Sequence, residues 1–152
     1  MKKVIQLATF FFACFLWFST VKGEDWVFYE AYPDFFFYDQ ENINNPDENS
    51  QDIVGVWQKI IYSEKSISRI SAHLGEQYSD LVESVSLVEI NCFSKDAQIK
   101  AITYYNSKGW VIHTSHHTKD NWEEIIPSSP LQKLYKAVCL SKREGEIESA
   151  HR

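Results

Sequence analysis

The stretch SLVEINCFSKDAQIKAITYYNSKGWVIHTS alternates apolar and polar side chains, which is the pattern of paired β-strands. In its first strand Val88, Ile90 and Cys92 share one face, because successive side chains of a strand point to opposite sides. The next two strands flank NSKG, where Asn106 favours a turn and Gly109 tolerates a positive φ. The stretch therefore predicts three strands, the last two joined as a hairpin, with a cysteine on the inward face of the sheet.

Further strands are predicted upstream of this stretch. The aromatic run DWVFYEAYPDFFFYD divides at Pro33 and Asp34 into two short segments of strong strand propensity. The polar, acidic segment QENINNPDENSQD that follows is typical of an exposed loop. Residues 53–63 are apolar on both faces, which predicts a strand in the middle of a sheet.

Two segments have helical periodicity. The first is weakened by Gly75, and its apolar residues recur at spacings of three and four: Ile67, Ile70, Leu74, Tyr78 and Leu81. The second begins with Ser129 as a helix cap, Pro130 at the first helical position and Gln132 where a capping box requires it. One face of that second helix is apolar: Leu131, Leu134, Tyr135, Val138 and Cys139.

The N-terminus has the layout of a secretory signal peptide. Lys2 and Lys3 precede an apolar run over residues 4–18, and Gly23 suits the position before a cleavage site. The run is shorter than the roughly 20 apolar residues that a bilayer requires, so an uncleaved anchor is the weaker interpretation. We expect residues 1–23 to be removed and the mature chain, which has no predicted transmembrane helix, to be exported to the periplasm, the outer surface or the medium.

Cys14 leaves one alternative open at this end of the chain. It follows a small residue, as a lipid-modified cysteine does, but it lies in the middle of the apolar run and not at its end. We therefore interpret it as part of the signal peptide, with lipid attachment as the alternative.

Charge excludes one class of partner. Removing 23 residues from 152 leaves 129, enough for a single domain, which we place at 24–140. The removed segment contains three of the 15 basic residues and none of the 21 acidic ones, so the mature chain has 12 basic and 21 acidic residues and a net charge of −9. Such a chain repels nucleic acid and suits a partner with a basic patch.

Residues 141–152 have almost no apolar content and are predicted to be a disordered tail.

Cys92 and Cys139 are the two cysteines outside the signal segment. An exported chain meets an oxidising compartment, where an even pair favours a disulfide. The cysteines are 47 positions apart, and closing a loop of that length stabilises the fold by roughly 4 kcal/mol in the chain-entropy model. The alternatives are a catalytic thiol or a metal ligand, but neither cysteine lies in a CxxC pair or beside a histidine.

Other chemical motifs are weak. The histidines of HTSHH, His113, His116 and His117, are the one candidate metal cluster, although a solvated strand end explains them as well. No GxSxG elbow, glycine-rich phosphate loop or HExxH motif is present, and Glu123 and Glu124 would point to opposite faces of a strand. We therefore expect no catalytic residues, no metal and no cofactor.

Aromatic side chains are the strongest signal that these motifs leave unexplained. Most of them should fill the core of a small domain. Five are candidates for a partner surface, because Trp110 follows the turn and a run of four crowds both faces of one strand: Phe35, Phe36, Phe37 and Tyr38.

In order along the chain, the segments FFFYD, VGVWQKIIYS, VEINC, YYNSKGWVI, WEEIIPSSP and LYKAVC resemble the bacterial surface-adhesin protein E family. The resemblance spans residues 26–139. It implies an α+β fold, with an antiparallel sheet of about six strands, a C-terminal helix packed across it and Cys92 bridged to Cys139. It also implies a cell-envelope adhesin that binds host extracellular-matrix or serum proteins.

The expected function is therefore protein binding without catalysis. The alternatives are a periplasmic module that holds a small molecule or a metal beside the sheet, and an exported hydrolase with an unrecognised site. The sequence leaves the identity of the partner and the oligomeric state open.

Overall fold

A computed structural model describes residues 25–46 and 52–140. The predicted signal peptide at 1–23 and the predicted tail at 141–152 lie outside the described residues. Seven antiparallel strands form one sheet: β1 Trp26–Ala31, β2 Phe35–Asp39, β3 Ile53–Ile61, β4 Leu81–Asn91, β5 Asp96–Asn106, β6 Val111–His116 and β7 Glu123–Glu124. The described residues also contain two α-helices: α1 Glu64–Leu74 and α2 Pro130–Tyr135. The chain continues from α2 as a π-helical turn, Lys136–Leu140.

The first six strands lie side by side in chain order, each antiparallel to the next, and β7 pairs with the start of β5. Short turns join β1 to β2, β4 to β5 and β5 to β6, and such neighbouring segments pair as hairpins, whereas a longer loop joins β2 to β3 and α1 lies between β3 and β4. The two aromatic segments predicted on either side of Pro33 are β1 and β2, which form such a hairpin. The sheet therefore has the predicted α+β architecture, with seven strands where about six were expected.

Helix α2 covers one face of this sheet, as predicted. Ser129 caps it by accepting a hydrogen bond from the Gln132 backbone N–H at 3.2 Å. The Gln132 side chain bonds back to the N–H of Ser128, one residue earlier than in the usual capping box. The apolar stripe of α2 and its extension, with Leu134 and Val138 at its centre, packs onto strand residues that share one face: Tyr38, Val54, Val56, Val88, Ile90, Cys92 and Ala97.

The predicted disulfide joins these two layers. Cys92, on the turn directly after β4, and Cys139, on the helix extension, are bonded, with their Cα atoms 5.6 Å apart. Both side chains are buried in the core. The free-thiol interpretations, a nucleophile or a metal ligand, are therefore wrong for this pair.

The first predicted helix is only partly correct. Helix α1 ends at Leu74, because Gly75 follows with a φ of 113° that a helix cannot accommodate. Tyr78 lies on a short 3-10 turn, and Leu81 is the first residue of β4. The periodic residues therefore lie on three elements, α1, the 3-10 turn and β4, and not on one helix. Leu74, at the end of α1, is exposed.

Candidate binding surface

The face of the sheet opposite α2 is called here the open face, and its residues follow from the pairing of the strands. Directly opposed residues on antiparallel strands point to the same side. Because Ile90 and Val88 point towards α2, their neighbours Glu89 and Leu87 point away. The registers place three rows across the open face: Trp26, Asp39, Trp57, Leu87, Ala101 and His116; Phe28, Phe37, Lys59, Val85, Thr103 and Thr114; and Ala31, Phe35, Ile61, Glu83, Tyr105 and Val111.

Aromatic rings concentrate at the β1–β3 end of the open face. Phe28 and Phe37 meet edge to face with their centroids 5.6 Å apart. The Lys59 ammonium lies 4.5 Å from the centre of the Trp26 ring and 5.5 Å from that of Phe37. These contacts hold the rings in fixed positions while Phe28 remains 52% exposed.

Four of the five aromatic residues predicted as a partner surface lie on β2, where alternate side chains point to opposite faces of the sheet. Phe35 is 52% exposed and Phe37 is half-buried, and both lie on the open face. Phe36 and Tyr38 are buried on the helix side, where both pack against Tyr29. The structure therefore leaves two of these four strand residues accessible to a partner.

Trp110, the fifth candidate, lies beside the hairpin turn and is 66% exposed. The Asn106 side chain organises the turn, since its Oδ1 accepts hydrogen bonds from the N–H groups of Lys108 and Trp110 at 3.0 and 2.9 Å. Lys108 lies 5.0 Å from the centre of the Trp110 ring. The tip of the hairpin thus presents a positioned indole at the opposite end of the sheet from the β1–β3 aromatic residues.

Sequence reasoning missed four other open-face aromatic residues: Trp26, Phe28, Trp57 and Tyr105. The signal was present in the alternation: counting in twos from the inward-facing Cys92 along paired strands assigns each of them to the outer side. Alternation alone does not give the register between β1, β2 and β3, which the pairings of Phe28 with Phe37 and of Phe37 with Lys59 supply.

A shallow groove on the open face, called here the loop groove, has a volume of about 560 Å³ and is lined by residues of the first four strands and of the loop after β2. Its principal lining residues are Trp26, Asp39, Asn42, Asn44 and Trp57. Asn44 exchanges two backbone hydrogen bonds with Gly55, at 3.0 and 2.8 Å, and this bridge attaches the loop to β3. A Cβ on Gly55 would overlap the Asn44 side chain, so the close approach requires glycine there.

A second groove, of about 480 Å³, lies on the helix side beside the start of α2 and is called here the helix groove. Val88, Ala97 and Ile99 contribute apolar lining, while Glu123 and Glu124 contribute carboxylates. Both glutamates are exposed on β7, and Glu123 accepts a hydrogen bond from the Asn121 side chain at 3.0 Å.

Burial and ion pairing shift the pKa of several groups. Burial raises the pKa of Tyr62 to about 12, partly offset by the hydrogen bond between its hydroxyl and that of Ser84. Burial also raises the pKa of Tyr29. The hydrogen bond from Lys133 lowers the pKa of Glu30, which ties α2 to β1. None of these groups forms a nucleophile–base pair.

The three candidate metal-ligating histidines are exposed and do not converge. His113 lies opposite Tyr104 and His116 opposite Ala101, and these partners point to different faces of the sheet. Within residues 25–46 and 52–140, no cluster of three or more His, Cys, Asp or Glu side chains could hold a metal ion. No helix in the same ranges is both long and apolar enough to cross a membrane.

Comparisons with known proteins find one matching family model and two similar solved structures. A family model described as surface-adhesin protein E matches residues 26–140. A structure of Haemophilus influenzae protein E aligns with 15% identity and a TM-score of 0.45, covering 70% of this chain and 77% of that one. A second crystal form of that protein aligns with 14% identity and a TM-score of 0.44, covering 70% of this chain and 80% of that one. No curated protein sequence matches the chain.

Proposed function

Because the chain belongs to the surface-adhesin protein E family, we propose that it is an exported, non-catalytic protein of the cell envelope that binds another protein through its open face. The observation that carries the proposal is the accessibility of aromatic and aliphatic side chains there. Phe28, Phe35 and Val111 are all more than half exposed, and Trp57 is 36% exposed. Exposed apolar side chains grouped on one face are typical of a surface that is buried in a complex.

The chemistry of the open face describes the partner. Glu83 and Glu89 contribute carboxylates to the central strand of this face, and the mature chain has an excess of acidic residues. A partner that presents apolar side chains flanked by lysine or arginine would therefore be attracted over distance and buried on contact. We propose a host extracellular-matrix or serum protein in this role, as the family name suggests for a surface adhesin.

Rigidity supports recognition by such a face. The disulfide and α2 brace the helix side, so the open face should change little on binding and little entropy should be lost in ordering it. The expected mechanism is recognition by a preformed surface, with no covalent step.

Binding to purified collagen, fibronectin, laminin and serum albumin, measured by surface plasmon resonance, tests this proposal. We expect at least one of them to bind, and Phe35→Ser to weaken that binding about tenfold or more, because an exposed aromatic anchor is removed. Phe93→Ser is the matched control, since Phe93 is exposed on the turn between β4 and β5 and outside the open-face rows.

Two outcomes would contradict the proposal. One is equal loss of binding in the two phenylalanine variants. The other is sedimentation of the protein as a dimer that Phe35→Ser dissociates, which would make the open face a self-association surface. Cell fractionation tests where the protein is located. Protein confined to the periplasm would exclude binding to a host molecule.

The helix groove supports a second candidate function, the holding of a small apolar molecule with a positive charge. Its apolar lining and its two glutamates suit such a ligand. The test is fluorescence of the cationic apolar dye rhodamine 6G, with Ile99→Asp expected to abolish binding. Dye binding that Ile99→Asp leaves unchanged would eliminate this candidate.

A further inference from the structure

The loop groove combines two side-chain types whose joint presence indicates a particular class of ligand. Trp26 pairs with Asp39, and the β2–β3 register, which pairs Tyr38 with Gln58, places Trp57 next in the same row. Neighbouring strands are about 4.8 Å apart, so the two indoles originate about 10 Å from one another. Asn42 and Asn44 line the groove as short amides that both donate and accept hydrogen bonds.

We propose that the loop groove is a binding site for a neutral saccharide. A sugar ring has flat patches of C–H groups and a rim of hydroxyls. The C–H patches carry a weak positive charge, which is attracted to the electron-rich face of an indole. The hydroxyls each donate and accept, which amide and carboxylate side chains match. The volume of about 560 Å³ lies in the usual range for ligand sites, roughly 300–1,000 Å³.

The polar wall of the groove is preorganised. The Asp39 carboxylate accepts hydrogen bonds from the N–H groups of Glu41 and Asn42 at 3.1 and 3.2 Å, and from the Asn42 side chain at 2.6 Å. The Asn44–Gly55 bridge fixes the other end of the loop. Since these bonds already hold residues 41, 42 and 44, a weakly binding ligand such as a sugar need not supply the free energy to order this part of the wall.

Charge narrows the ligand class to neutral sugars. Asp39 and Glu41 both line the groove, so their carboxylates oppose a sulfated, phosphorylated or sialylated sugar. The Lys59 ammonium lies 4.5 Å from the centre of the Trp26 ring, where the ring face already interacts with its charge. This inference goes beyond the proposed function, because a small sugar can occupy the groove whether or not a protein docks on the face.

Saturation-transfer NMR on the purified exported protein tests the inference. The probes are the methyl glycosides of glucose, galactose and N-acetylglucosamine, with maltose, lactose and chitobiose, and 3′-sialyllactose as the charged comparison. We expect at least one neutral probe to receive saturation at its ring C–H protons, with a Kd on the order of 1 mM. Sialyllactose should bind more weakly than lactose.

Variants assign the signal to the groove. Trp57→Ala should weaken binding about tenfold, whereas Trp57→Phe, which keeps an aromatic face, should weaken it only a few-fold. Trp110→Ala is the matched control, because Trp110 is more exposed and lies at the hairpin instead. If circular dichroism shows that Trp57→Ala does not fold, Asn44→Ala replaces it, with a few-fold loss expected.

No transfer to any neutral probe, or transfer that survives in the folded groove variants, would overturn the inference. The result is independent of the protein-binding test, because that test changes Phe35, which does not line the loop groove.

Discussion

At the residue scale, the cap of α2 shows how far local sequence rules reach. Ser129, Pro130 and Gln132 predicted the start of the helix, and the structure confirms it. The Gln132 side-chain oxygen accepts a hydrogen bond from the N–H of Ser128 and not from that of Ser129. This was not predictable, because Ser128 adopts a φ of 64° as the chain turns into the helix. Local rules therefore predict that a cap forms but not every bond within it.

Substitutions at the two serines should change the free energy of unfolding differently. Ser129→Ala should lower the free energy of unfolding by about 1 kcal/mol, because the Gln132 N–H loses its side-chain acceptor and keeps only the Ser129 carbonyl, at 3.1 Å. Ser128→Gly should leave the free energy of unfolding unchanged or raise it, because glycine accepts the positive φ without strain. Urea denaturation measures both, and a loss of stability in Ser128→Gly equal to that in Ser129→Ala would contradict this account.

Tyr62 predicts the behaviour of the fold in alkali. Its pKa is about 12 in the folded protein against an ordinary value of 10.0, so the unfolded chain ionises first. The stabilisation from keeping Tyr62 neutral is complete below pH 10 and is lost progressively as the pH rises towards 12. The free energy of unfolding should therefore fall across this window by at most about 1.4 kcal/mol per pH unit for this group.

Denaturation at several pH values, with Tyr62→Phe for comparison, measures that slope. The variant should lose stability less steeply between pH 10 and 12, because it has no hydroxyl to ionise. Identical slopes in the two proteins would show that Tyr62 is not the group responsible.

At the element scale, the β5–β6 hairpin was predictable, whereas the end of α1 was not. The hairpin depends on contacts between close neighbours in sequence, such as the bonds that the Asn106 side chain accepts in the turn. The apolar residues from Ile67 to Leu81 predicted one helix, but Tyr78 is not part of α1. It is buried because its ring meets that of Tyr104 on β5 edge to face. Periodicity records burial but not the element that buries a residue.

The turn of this hairpin can be tested at Gly109, whose φ is 75°. A Cβ there would meet no atom within 4 Å, so the cost of Gly109→Ala is backbone strain alone. We expect the free energy of unfolding to fall by about 1 kcal/mol. Gly109→Asn should cost less, since asparagine tolerates this region. Thermal unfolding compares the two, and an equal cost for both would contradict the backbone explanation.

At the scale of the whole molecule, the alternation of side chains and the two cysteines predicted one covered face of the sheet. They did not predict the loop groove, because its wall depends on the long-range bridge between Asn44 and Gly55. The sequence also could not predict that the open face is accessible to solvent. Apolar residues such as Trp57 have the same sequence pattern whether or not a second layer covers them.

Loss of the disulfide should weaken the whole fold. Replacing Cys92 and Cys139 by serine should lower the free energy of unfolding by roughly 4 kcal/mol, as expected when a loop of 47 residues is opened. Urea denaturation of the double variant measures the change. A loss below about 1 kcal/mol would mean that α2 stays on the sheet without help from the bond.

The central claim is that the open face is the surface that meets a partner. Hydroxyl-radical footprinting by mass spectrometry, with and without a bound matrix or serum protein, tests it most directly. We expect the partner to protect Phe28, Phe35 and Trp57 from oxidation while Phe93 and Ile126, which are also exposed, remain as reactive as before. Protection of Phe93 and Ile126 with the three open-face residues unchanged would contradict the claim.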